Sequence, residues 1–314
     1  MTSSLMTIGI VSISSIIPHD QLDLGTNTLA QAGYAVKVAS NVAGPDVAPA
    51  ADRAKILEEF WLDPEIDLLL FSRGGQGAVD VIPLIDWDAL SARPDLPVVG
   101  FSDLTILLNA MLAKGVGHPL SGPMLSYAGT LTPAAQSWFD AALSGTPLPP
   151  VKTTPIHVPG SGAPSPAAPA SVAPPVPSGG SSGSAAAGGG VSGLPMGGHI
   201  ERLHRLLGMG LLPPADGRVV FLECTARYAP GDIRRWLEEL RDAGAFSGAA
   251  AVVFCDFRHK GAARAEIDAF IPPFAATLPC PVFSGFPYGH THDSRLLDFR
   301  RPVSIAADGT LTFR

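Results

Sequence analysis

Short, unbroken apolar runs alternate with helix-length segments from Thr7 to about Tyr127, and no other feature of this chain constrains its fold as tightly. Strands are expected over 8–11, 35–39, 67–71 and 98–101, and helices over 21–32, 50–61, 79–82 and 104–113. No strand segment alternates apolar and polar residues with period two. Continuously apolar strands are buried on both faces, which is the condition of a parallel sheet covered by helices. Residues 1–150 therefore read as an open α/β domain built on a parallel sheet.

Between Thr153 and Ile200 the chain carries no Asp, Glu, Lys or Arg, and the middle of that stretch is Pro, Ala, Gly and Ser. Such a composition buries too little apolar area to offset the entropy of ordering it. Residues 151–196 read as a linker or loop insertion, most flexible over 157–192, with polyproline-like stretches ahead of glycine-rich ones. A lid over a site is the functional alternative.

Alternation then resumes in a second α/β domain over 197–314. Helices are expected over 200–207, 231–240 and 262–276, and strands over 219–222, 250–254 and 281–283. The tail reads as a hairpin, 303–305 with 311–313, turning at Asp308-Gly309. Two such domains imply a cleft between them, a common place for a small-molecule site.

The net charge of −7 comes without a basic block, which argues against a nucleic-acid partner. The three cysteines, Cys224, Cys255 and Cys280, lie in or beside apolar runs and read as buried thiols of a reducing compartment. The apolar N-terminus has no Lys or Arg ahead of it and falls short of the ~20 apolar residues that span a bilayer. It reads as a first strand of a cytoplasmic protein with no membrane partner.

Chemistry concentrates in Val98-Val99-Gly100-Phe101-Ser102-Asp103-Leu104-Thr105. A strand ends in a tight turn bearing a serine, and a helix follows at once, where free N–H groups and the helix dipole favour an oxyanion. Capping the helix is the plainer role for Ser102. Leu104 stands where the G-x-S-x-G elbow has its second glycine, so an α/β-hydrolase assignment is not supported. Downstream, Glu223 ends a strand and His290 lies in Gly289-His290-Thr291; serine, carboxylate and histidine are the parts of a hydrolytic triad. Cys224 is an alternative nucleophile beside Glu223, with burial as its plainer role.

The loop Phe71-Ser72-Arg73-Gly74-Gly75-Gln76-Gly77 follows a buried strand and matches neither nucleotide-binding glycine pattern. Its Gly75 N–H and the Asp103 N–H are candidate oxyanion donors. Arg73 beside the loop is a candidate for a structural salt bridge. His290 has His259, His292, Asp256 and Asp293 near it in sequence, but their spacing forms no recognised zinc pattern, and neither metal nor cofactor is expected.

In this order the motifs resemble the LD-carboxypeptidase family of serine peptidases, which includes muramoyltetrapeptide carboxypeptidases and microcin-immunity hydrolases. The resemblance runs from Asp52-Arg53 and Asp63-Pro64-Glu65-Ile66-Asp67 through the glycine loop, Pro83-Leu84-Ile85-Asp86, Gly100-Phe101-Ser102-Asp103 and His118-Pro119-Leu120-Ser121-Gly122-Pro123. It continues in Gly197-Gly198-His199, Leu222-Glu223, Tyr228 with Asp232-Ile233-Arg234, and Gly285-Phe286-Pro287-Tyr288-Gly289-His290. It implies Ser102 as nucleophile on the first domain, with His290 as general base and Glu223 as its orienting partner on the second, so that the active site forms at the interface. It also implies a cytoplasmic homodimer that releases a C-terminal D-amino acid from murein tetrapeptides in cell-wall recycling, with no cofactor. In a carboxypeptidase of this kind Arg73 is equally a candidate partner for the substrate's terminal carboxylate. Two alternatives keep the fold: a microcin-immunity-type hydrolase of acyl-nucleotide or peptide amides, and a non-catalytic peptide-binding relic. The chain departs from the family at Gln76 (usually aromatic), His199 (usually Asn) and Cys224 (usually an acid), positions that shape specificity more than chemistry.

Overall fold

The computed structural model describes residues 5–159 and 190–314. In the first sheet, β1 (Thr7–Val11), β2 (Ala35–Val38), β3 (Leu68–Phe71), β4 (Pro97–Gly100) and β5 (His118–Ser121) run parallel in the order β5-β4-β3-β1-β2. Leu68, Leu69, Leu70 and Phe71 are all buried, as an unbroken apolar strand covered on both faces must be. Strand order reverses between β1 and β3, so the loops leaving their C-terminal ends diverge and open a crevice. The glycine loop after β3 and the Ser102 turn after β4 both emerge at this end.

The remaining strands are β6 (Val151–Lys152), β7 (Thr154–His157), β8 (Val191–His199), β9 (Arg218–Cys224), β10 (Ala251–Phe257), β11 (Val282–Ser284), β12 (Leu297–Asp298), β13 (Val303–Ile305) and β14 (Thr310–Phe313). Four of them, β8-β9-β10-β11, form the parallel centre of an eight-stranded sheet. The expected hairpin β13–β14 continues that sheet beyond β8 in antiparallel sense, and β6 pairs with β14. β12 crosses back and pairs antiparallel with β5 of the first sheet, so the late chain closes the early sheet.

Both ends of the segment read as a linker over 151–196 are strands. β7 lies on the sheet edge, where Pro155 removes no ladder donor that the sheet needs. β8 lies in the middle of its sheet, and its glycines serve close packing. A Cβ on Gly193 would stand 2.2 Å from the Gly217 carbonyl oxygen, and one on Gly197, at φ +113°, would stand 2.2 Å from that of Phe221. An uncharged, glycine-rich run suits a buried strand as well as a linker, so composition does not separate the two. The part of the expected linker over 160–189 lies outside the described residues.

The helix Thr105–Lys114 lies between the two halves of the molecule. It is buried continuously from Thr105 to Met111, as befits a helix apolar all round. Its one amide, Asn109, donates to the Gly197 carbonyl at 2.9 Å and accepts from the Gly197 N–H at 3.2 Å. The Thr105 hydroxyl accepts from the His199 N–H at 3.1 Å. These bonds fasten the helix that follows Ser102 to the end of β8.

Candidate active site

Ser102 has φ +63°, and it is the sole non-glycine residue with positive φ among those described. An L-residue held there stores about 1–3 kcal/mol of backbone strain, which the surroundings must offset. Here Phe101 is extended, Ser102 turns left-handed, and a single 3-10 turn, Ser102–Leu104, leads into the helix. Gly100 lets that helix fold back onto the strand, since a Cβ there would stand 2.7 Å from the Cβ of Leu104. Gly74 is required for the same kind of reason, because its Cβ would lie 2.9 Å from that of Ser102. The glycine loop is braced from behind by buried Arg53, which donates to the Gly77 carbonyl at 3.0 Å and also to that of Ile13. This is the structural use of Arg53 in the Asp52-Arg53 motif.

His290 brings the far half of the chain to this turn. Its Nε2 accepts from the Ser102 hydroxyl at 2.8 Å, and its Nδ1–H donates to Glu223 Oε2 at 2.9 Å. Glu223, near the end of β9, is fully buried, and its Oε1 has no protein partner among the described residues. A buried carboxylate with one oxygen spent on an imidazole sets the tautomer, leaving Nε2 free to take a proton. The ring of Phe101 covers His290 at 4.6 Å between centroids. Tyr288, buried beside it, shares a 2.6 Å hydrogen bond with the Ser121 hydroxyl; burial first, and then the Glu223 charge, push its phenol well above the ordinary value.

The three residues stand at a cleft of about 320 Å³ that also takes in Arg73, Gly75, Met124, Tyr127, His199, Arg202, Arg227 and Tyr228. Two larger clefts elsewhere on the described surface do not include Ser102. Arg73 is exposed and makes no hydrogen bond or ion pair among the described residues, so its charge faces the cleft uncompensated. Arg227 is similar, resting over the Tyr228 ring at 5.7 Å. Sequence reading overlooked Arg227, which carries no local mark distinguishing it from a solvated surface arginine.

Gly75, at φ +120°, donates its N–H to no protein acceptor among the described residues. Asp103 is the second residue of the 3-10 turn, in the first turn where N–H groups lack intrahelical partners. Its side chain does more than the sequence indicated: the buried carboxylate accepts from the Ser14 hydroxyl at 2.6 Å and the Ala78 N–H at 2.9 Å, and pairs with Arg202 at 2.6 Å. Two segments of the first half and one helix of the second thus converge on the residue after Ser102.

Burial lowers the pKa of His199 to about 4, which keeps it neutral; its Nδ1 has no partner among the described residues. Cys224 is wholly buried, and burial raises its thiol far above the ordinary value, which removes it as a nucleophile. The other polar residues near His290 in sequence are dispersed. His259 Nε2–H donates to the Tyr228 carbonyl at 2.7 Å, and Asp293 accepts from Thr132 at 2.6 Å. Among the described residues no cluster of three or more His, Cys, Asp or Glu could hold a metal ion. No helix among them is long and apolar enough to cross a membrane.

Family models for the LD-carboxypeptidase N-terminal and C-terminal domains match residues 8–120 and 192–305. The chain belongs to the LD-carboxypeptidase family of serine peptidases. A Streptomyces coelicolor relative, assigned by its name to the carboxypeptidases, is 28% identical over 97% of this chain and 92% of its own. Muramoyltetrapeptide carboxypeptidase from Oxalobacter formigenes has the same fold, with a TM-score of 0.77 at 21% identity over 98% of each chain. An MccF-like protein from Bacillus anthracis matches with a TM-score of 0.79 at 18% identity, over 99% of this chain and 97% of its own.

Proposed function

We propose that this protein is a serine-type LD-carboxypeptidase that releases a C-terminal D-amino acid from murein tetrapeptides. The observation carrying this reading is the continuous hydrogen-bonded relay from Ser102 through His290 to buried Glu223, at 2.8 and 2.9 Å. In the first step His290 Nε2 takes the Ser102 proton as the hydroxyl oxygen attacks the scissile carbonyl. Glu223 holds the ring and stabilises the imidazolium that forms. The N–H groups of Gly75 and Asp103 receive the oxyanion, donors worth about 3–4 kcal/mol each in serine hydrolases. His290 then protonates the leaving amine, and water repeats the sequence on the acyl-enzyme. Arg73 and Arg227, two guanidiniums without ionic partners at the cleft, suit a peptide rich in carboxylates, including its free C-terminus.

The test is mass spectrometry of a mixed muropeptide digest incubated with purified protein, beside an aminoacyl sulfamoyl adenylate. Release of the terminal D-amino acid from tetrapeptides is expected, and Ser102→Ala should lose on the order of 10⁶-fold in kcat while remaining folded. Full turnover by folded Ser102→Ala would refute the mechanism. Cleavage of the adenylate alone would replace the substrate with that of a microcin-immunity hydrolase. Tight peptide binding without product or phosphonate labelling of Ser102 would leave a binding protein.

A further inference from the structure

Arg202 stands in the first turn of the helix Ile200–Gly208, on the side of the second sheet, yet its guanidinium reaches the loops of the first. It is 5% exposed, and each of its nitrogens is engaged. Nε pairs with Asp103 Oδ1 at 2.6 Å, one Nη donates to the Gly75 carbonyl oxygen at 3.0 Å, and the other donates to Glu201. Glu201 in turn accepts from Arg205. Negative and positive groups alternate along Asp103–Arg202–Glu201–Arg205, so the Asp103 carboxylate next to Ser102 is neutralised and does not oppose an oxyanion.

We propose that Arg202 is a positioning residue that fixes the two oxyanion donors relative to each other. The inference rests on the hydrolase reading given above. Arg202 grips Asp103 by its carboxylate and Gly75 by its carbonyl, and these are the residues whose N–H groups face the reacting carbonyl. A planar guanidinium holds its acceptors at set separations, which a flexible ammonium cannot do. Gly75 especially needs an outside anchor. It has no side chain to pack, and none would fit, since a Cβ there would stand 2.1 Å from the Ser15 hydroxyl oxygen. Because the fork comes from the second half of the chain, the oxyanion site is complete only when both halves are docked.

The experiment measures the rate constant for labelling of Ser102 by a fluorophosphonate, read by intact mass, together with kcat and KM for the tetrapeptide. Absence of labelling in the wild-type protein would sink the hydrolase reading itself, before Arg202 is in question. With the wild type labelled, Arg202→Lys is expected to slow labelling and kcat by about 10–100-fold, the scale of a slightly misplaced reacting geometry. KM should stay within about threefold, because the substrate itself loses no contact. Equal labelling and kcat would overturn the proposal, and so would a raised KM with unchanged labelling, which would make Arg202 a substrate contact. The pair Asp103→Asn with Arg202→Met strands no buried charge and provides a second folded variant. It should remain slow because the fork is gone. Full recovery of kcat in that pair would show that Arg202 only neutralises Asp103, and would overturn the positioning role.

Discussion

The turn at Ser102 and the loop at His290 meet at 2.8 Å, yet they are built in opposite ways. The turn is local. Strand, strained residue, 3-10 turn and helix follow one another within residues 97–105, and neighbours such as Gly100 and Leu104 close it. The His290 loop has no regular structure of its own and is placed by distant partners. Tyr288 bonds Ser121 in the first sheet at 2.6 Å, while its carbonyl accepts from the Asp256 N–H in the second at 3.0 Å. Gly289 lies so close to Asp256 that a Cβ would come within 2.6 Å of the aspartate's own. Ser102 is therefore placed by backbone conformation and His290 by packing between the two halves.

This contrast can be broken most sharply at Glu223, the partner that packing supplies. Glu223→Gln should lower kcat by roughly 10²–10⁴-fold, because the amide no longer sets the imidazole tautomer or stabilises its cation. The thermal midpoint should hold or rise, since a buried charge with one oxygen unpartnered is removed. A loss below tenfold in steady-state kinetics would mean that loop packing alone orients His290.

The second perturbation is acid, and it acts on the same packed side. An unfolded chain protonates His199 near 6.5, whereas the folded protein holds it neutral down to about 4. Stability therefore falls as pH drops through that window and levels off below it, by an amount on the order of 3 kcal/mol. Urea denaturation across this range should show the slope, and His199→Asn should flatten it. An unchanged slope would assign the proton to another group.

The smallest effect probes the strained side. Ser102→Gly relieves the positive φ and should stabilise the fold by about 1 kcal/mol relative to Ser102→Ala, with both variants inactive. Equal unfolding midpoints for the two variants would show that the turn carries little strain.

The two sides also differ in how far sequence reading reached them. Tight turn, flanking strand and helix were legible around Ser102 because all the determinants lie within a few residues. Glu223 was legible as a carboxylate closing a strand and His290 as a histidine in a glycine-flanked segment, but nothing in either segment states that they touch. The strands β7 and β8 were hidden inside an uncharged run, because glycine and proline signal loop by composition while serving close approach and an edge position here. Arg202 was invisible for a related reason: a charged pair in the first turn of a helix has the same appearance whether solvated or buried.

By itself, the sequence determined the alternation of elements, the parallel character of the early sheet and the chemical types gathered for the site. Those properties arise from periodicity and turn chemistry acting over short stretches of chain. Only the tertiary structure decided that Ser102 meets an imidazole 188 residues away and that Arg202 faces Asp103 and Gly75. Which polar groups find partners depends on how two sheets dock around one buried helix, and that docking is a property of surfaces, not of any local pattern.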